Sequence, residues 1–121
     1  MRPDSFGLRN KKRMESLEKV YHENKFGCTR KCTCHNAVHV NFGNVSLLLS
    51  KQQLVDFSEY VYEAVVQCSQ DNVDPDIRDI FIPTRDLCIL FALSYNELLQ
   101  LLELTEQTLI MLQVDEALST S

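Results

Sequence analysis

The sequence predicts an α+β fold in two layers: a duplicated ββα unit forming a four-stranded, mostly antiparallel sheet with two helices on one face. Three observations carry this: an internal repeat, a capping signature at the same place in each copy, and strand-period alternation before each cap. Residues 45–61 (VSLLLSKQQLVDFSEYV) align with residues 89–105 (ILFALSYNELLQLLELT) at a constant offset of 44. Leu49-Ser50 meets Leu93-Ser94, Leu54 meets Leu98, and Glu59 meets Glu103. In each copy a Ser is followed three residues later by Gln53 or Glu97, the spacing of a capping box. Each box closes a strand-like run and so marks a switch from strand to helix.

Ahead of the first switch, Val38, Val40 and Phe42 alternate with His39 and Asn41, the period of a half-buried strand. Gly43-Asn44 then suits a two-residue hairpin loop. Pairing across it sets Phe42 opposite Val45, Val40 opposite Leu47 and Val38 opposite Leu49 on one face. His39, Asn41, Ser46 and Leu48 share the other. In the second copy the strands flank a turn at Pro83-Thr84-Arg85-Asp86. Ile89, Phe91 and Leu93 take the inward positions, and Cys88, Leu90 and Ala92 the outward ones. Leu54, Phe57, Val61, Ala64, Val65 and Cys68 form one helical stripe. The acidic connection Asp71-Asn72 and Asp74-Pro75-Asp76 ends that helix. Leu98, Leu101, Thr105, Leu109 and Leu112 form the matching stripe, which Leu99, Leu102, Leu104, Ile110 and Met111 widen beyond one face.

These spans define one domain over residues 26–118, with repeats at about 37–70 and 79–114. A basic leader occupies residues 1–25 and a short tail residues 119–121. At 121 residues and 45% hydrophobic content, the chain supports one core. No run of 18 apolar residues occurs, which excludes a transmembrane helix, and no secretory h-region precedes the fold. The expected compartment is the cytoplasm, and five cysteines, an odd count, are expected to be reduced. Residues 1–31 carry nine Lys/Arg against four Asp/Glu, whereas residues 32–121 carry three against thirteen. An acidic body of that kind argues against nucleic-acid binding. Met14 follows the basic LRNKKR run and competes with Met1 as the translation start.

The densest chemistry is KFGCTRKCTCHNAVHVNF, residues 25–42. Cys28, Cys32, Cys34 and His35 are candidate ligands for a zinc ion, since three thiolates and an imidazole make a tetrahedral set. On an extended chain Cys32 and Cys34 share a face and His35 points away, so one site needs residues 28–35 to loop back. His39 belongs to the following strand. Two other readings stand beside the metal. Lys25, Arg30 and Lys31 favour a thiolate, which suits a redox protein using Cys32 and Cys34. Alternatively, the cysteines pack under the sheet while the histidines face solvent, with Cys68 and Cys88 as core positions.

No Gly-rich phosphate loop, catalytic triad or calcium loop is present, so a non-enzyme is expected. The outward Phe81, Leu90 and Ala92 and the surplus leucines of the second helix form apolar surface that a monomer rarely exposes. Residues 14–25 folding over it is one explanation. The other is self-association through Leu90, Ala92, Leu99 and Leu102, or an unknown protein partner.

The blocks C-x-C-H…HVNFGNVSLLLS, R-x-IFIPT (residues 78–84) and LSYNEL resemble a family of short bacterial proteins of unknown function, over roughly residues 26–114. That resemblance implies a small stand-alone cytoplasmic protein and transfers no catalytic residue. The expected function is a small binding or regulatory module with a zinc site in the Cys/His cluster. The alternatives are a metal-free homodimeric interaction domain and a thiol redox protein.

Overall fold

The computed structural model describes residues 19–32, 36–84 and 89–120. Strands β1 (Val20–Glu23), β2 (Gly27–Cys32), β3 (Ala37–Phe42) and β4 (Val45–Leu49) lead into helix α1 (Lys51–Gln70). Strands β5 (Ile80–Pro83) and β6 (Leu90–Leu93) then lead into helix α2 (Tyr95–Thr120). The fold is α+β: a four-stranded antiparallel sheet in the order β1-β2-β3-β4, a two-stranded hairpin β5-β6, and two helices packed together.

The first hairpin has the register its alternation predicts. Phe42 faces Val45, Val40 faces Leu47 and Val38 faces Leu49, while His39–Leu48 and Asn41–Ser46 pair on the outer side. Gly43 takes φ +60 in the two-residue loop, a conformation that suits a residue without Cβ. Both capping boxes form. Ser50 Oγ accepts from Gln53 N–H at 3.2 Å while Ser50 N–H donates to Gln53 Oε1 at 2.9 Å. Ser94 and Glu97 repeat the exchange at 3.2 and 2.9 Å.

The sheet itself differs from the expected one. Among the described residues β5 and β6 pair only with each other, and the four-stranded sheet is completed from the N-terminal side by β1 and β2. Residues 20–23 of the expected leader and residues 28–32 of the expected approach loop are therefore strand, and the sheet reaches back to Val20. Backbone hydrogen-bonding groups explain why. The inner edge of β3 needs a partner, and β2 supplies it in unbroken register from Gly27–Phe42 to Cys32–Ala37. Gly27 allows this approach, because a Cβ there would lie 2.0 Å from the Asn41 carbonyl oxygen. Asn24 closes the β1–β2 turn: its Oδ1 accepts from Phe26 N–H and Gly27 N–H, both at 3.1 Å.

A bulge in β1 leaves Tyr21 unmatched between Val20–Arg30 and His22–Thr29. It turns both Tyr21 and His22 toward the helices. Tyr21 is buried, and His22 Nε2 meets Glu103 Oε1 on α2 at 2.9 Å.

The core has two adjoining parts. Val38, Val40, Leu49, Leu54 and Tyr21 fill one. Phe42, Val61, Ile82, Phe91, Leu93 and the α2 leucines 98, 101 and 104 fill the other, joining the second hairpin to both helices. Thr29 of β2 and Thr108 of α2 are fully buried and hydrogen-bond to each other, and Thr108 also donates to the Leu104 carbonyl. Both hydroxyls are thus satisfied away from water. Among the described residues no helix is long and apolar enough to cross a membrane.

Candidate functional site

The Cys/His cluster divides along the chain. Cys28 is half-buried on the outer side of β2, where its Sγ accepts from Arg30 Nε at 3.5 Å and Asn41 Nδ2 at 3.8 Å. Register explains the grouping, because Asn41 lies directly opposite Cys28 and His39 opposite Arg30. Cys32 ends the same strand and is 4% exposed. Cys34 and His35 lie outside the described residues, as does Cys88.

Over residues 28–32 the chain is regular strand, where a four-ligand site needs a loop-back. Four residue steps along the strand place Cys32 roughly 13 Å from Cys28. A tetrahedral zinc site gathers its ligand atoms within about 4 Å of one another. One ion therefore cannot take Cys28 together with Cys32, and among the described residues no group of three or more His, Cys, Asp or Glu is placed to hold a metal. Burial of Cys32 also works against its direct reaction with a dissolved oxidant.

Cys32 instead forms part of a cleft of about 800 Å³ at the end of the molecule where the tips of β2 and β3 meet the start of α1 and the end of α2. Tyr21, Val38 and Leu112 supply its apolar surface. Two ion pairs reach α2: Lys19 Nζ–Asp115 Oδ1 at 2.6 Å from beside β1, and Lys51 Nζ–Glu116 Oε1 from the start of α1. The hydrogen bond from Lys19 holds the Asp115 carboxyl below the usual range. Burial, with Asp115 alongside, pushes the Tyr21 phenol up to about 12, so it remains a neutral donor. Asn36, with φ 47, immediately precedes β3 at the same cleft. The sequence reading missed this cleft because its charged wall comes from ion pairs whose members lie 96 and 65 residues apart in the chain.

The model of DUF6686, a family of unknown function, matches residues 14–119. The chain belongs to that family. The match takes in all six strands and nearly all of α2, so the DUF6686 pattern spans the whole described fold, including β1 and the cleft. No curated protein and no solved structure matches this DUF6686 chain.

The other candidate surface lies on the second hairpin. Ile82, Phe91 and Leu93 are buried, while Phe81 and Leu90 on the opposite face are 58% and 53% exposed and Ala92 is exposed beside them. Phe81 pairs with Ala92 and Pro83 with Leu90, so the outward side chains form one contiguous patch. Leu99 on α2 is also exposed, whereas Leu102 is half-buried against the core. At the start of α2, Arg78 clasps Glu97 with two hydrogen bonds of 2.9 and 2.8 Å. Together with the Ser94 cap, this holds the Glu97 carboxyl below its ordinary value.

Proposed function

We propose that this DUF6686 protein is a small non-enzymatic binding module that self-associates through the outer face of β5–β6. The observation that carries the reading is the pairing of exposed Phe81, Leu90 and Ala92 on a two-stranded hairpin whose outer edges have no strand partner among the described residues. Exposed apolar surface and open strand edges are both relieved by an isologous contact between two copies. Leu99 adds exposed apolar surface on α2, and Leu102 contributes mainly to the core.

Sedimentation velocity on the full chain tests this. A dimer is expected, with Leu90→Glu shifting it to monomer and Leu48→Glu, on the outer face of the first hairpin, leaving it dimeric. A wild-type chain that stays monomeric at high micromolar concentration rejects the reading.

The 44-residue offset and the two capping boxes support reading β3–β4–α1 and β5–β6–α2 as copies of one unit. The density of thiols and imidazole at Cys28, Cys32, Cys34 and His35 supports a second functional reading, a zinc ion held by part of that cluster and completed by a further ligand. Elemental analysis of protein purified without a metal-binding tag decides it. A retained structural zinc gives close to one ion per chain, and a value under about one-tenth rejects it.

A further inference from the structure

The two helices run antiparallel, since Lys51 at the start of α1 pairs with Glu116 near the end of α2. Between them lies a groove of about 480 Å³ lined only by helix residues. Val55 and Tyr62 of α1 and Leu109 of α2 provide its apolar surface. Glu59, Glu63 and Glu106 provide its charge, and none of the three has an ion-pair partner among the described residues. No cation on the helices is placed to neutralise them. Lys51 is the sole Lys or Arg in either helical segment, and it is engaged with Glu116.

We propose that this groove docks a basic amphipathic helix of a partner protein. A helix laid between two helices reads them through apolar side chains at i, i+3, i+4 and i+7 spacing, here seated on Val55, Tyr62 and Leu109. Glu59 and Glu63 are one turn apart and repel each other. Lysines or arginines one turn apart on the incoming helix relieve that repulsion, with Glu106 engaged from the facing helix. An uncharged partner would instead desolvate three carboxylates without compensation. Anionic surfaces such as membranes and nucleic acid are repelled by the same three groups. Exposed Tyr62 adds a ring face over which an arginine can stack.

The test is fluorescence anisotropy with the full chain and a labelled synthetic peptide of leucines and lysines patterned as an amphipathic helix. Saturable binding that weakens with added salt is expected. Glu59→Lys with Glu63→Lys should weaken it at least tenfold, as should Glu106→Lys with Glu59→Lys. Glu23→Lys with Asp79→Lys makes the same charge change away from the groove and should leave binding within about twofold. Leu90→Glu should also leave it intact, which separates this groove from self-association at the hairpin. Circular dichroism of each variant confirms the fold.

The proposal is overturned if the distant charge reversals weaken binding as much as the groove reversals, or if a scrambled peptide of the same composition binds equally well. It is also overturned if the full chain with Arg9→Glu and Lys12→Glu binds the peptide at least tenfold more tightly than wild type. That result would make the protein's own basic leader the occupant.

Discussion

The two hairpin–helix stretches share their local grammar and differ in their surroundings. β3–β4–α1 and β5–β6–α2 each turn from strand to helix at a Ser-capped box, with inward apolar and outward alternate residues. The first hairpin gains β2 on its flank and shows Asn41, His39 and Ser46 outward. The second has no further strand among the described residues and shows Phe81, Leu90 and Ala92 outward. At the position where the first carries Ser46, the second carries Leu90. Local signals thus specify the turn and the cap, while the outward residues make one face largely polar and the other apolar. The caps differ as well, because the neutral Gln53 of the first is a charged Glu97 in the second, tied additionally to Arg78.

The largest expected effect comes from breaking what distinguishes the first hairpin. Gly27→Ala forces a Cβ against the Asn41 carbonyl and should destabilise by about 2–4 kcal/mol, read by urea denaturation. Matching destabilisation by Gly43→Ala would show that turn strain, not strand approach, governs this hairpin. Next, Thr108→Val leaves the buried Thr29 hydroxyl without its partner and should cost about 1–3 kcal/mol. The double variant with Thr29→Val should recover most of that loss, and simple additivity would refute the pairing as the cause.

The caps compare the two hairpin–helix stretches directly. Ser50→Ala and Ser94→Ala should each cost about 1 kcal/mol, with the Ser94 change the larger because that residue is buried. The smallest effect is on pH. Glu97 titrates below its ordinary value because Arg78 clasps it. Its contribution to stability is therefore complete above the unfolded carboxyl range, near pH 4.3, and falls away as pH drops through the lower folded value. Glu103 and Asp115, held down by His22 and Lys19, act in the same direction. Thermal melts at pH 3 and pH 6 should differ less in Glu97→Gln than in wild type. An unchanged difference would place the acid sensitivity elsewhere.

Strands β3 and β4, their register, both helices and both caps were legible because each rests on neighbours in sequence: alternation, a Gly-Asn loop, a Ser three residues before Gln or Glu. The outward hairpin patch was legible for the same reason. β1 and β2 were not. Their inward residues are Tyr21, His22 and Thr29, of which a bulge puts two out of period and the third is a hydroxyl answered by Thr108. Gly27 reads as a turn residue but works inside a strand, because its neighbour is a carbonyl from β3. At Cys28 the stretch expected to loop back is likewise extended, because β2 pairs with β3. The helix groove left a partial trace in Glu59 and Glu63 at one-turn spacing, but Glu106 joins them only through helix packing.

The β1–β2 end is fastened almost wholly to α2: Lys19 to Asp115, His22 to Glu103, Asn24 Nδ2 to the Gln100 carbonyl, and Thr29 to Thr108. During synthesis the four-stranded sheet can pair as soon as Leu49 emerges, yet the β1–β2 side of its inner face lacks these α2 partners until the final helix leaves the ribosome. Such long-range closure slows folding and exposes a sticky intermediate. Early termination within α2 would therefore release a chain whose first strands are made but have nothing to lie against.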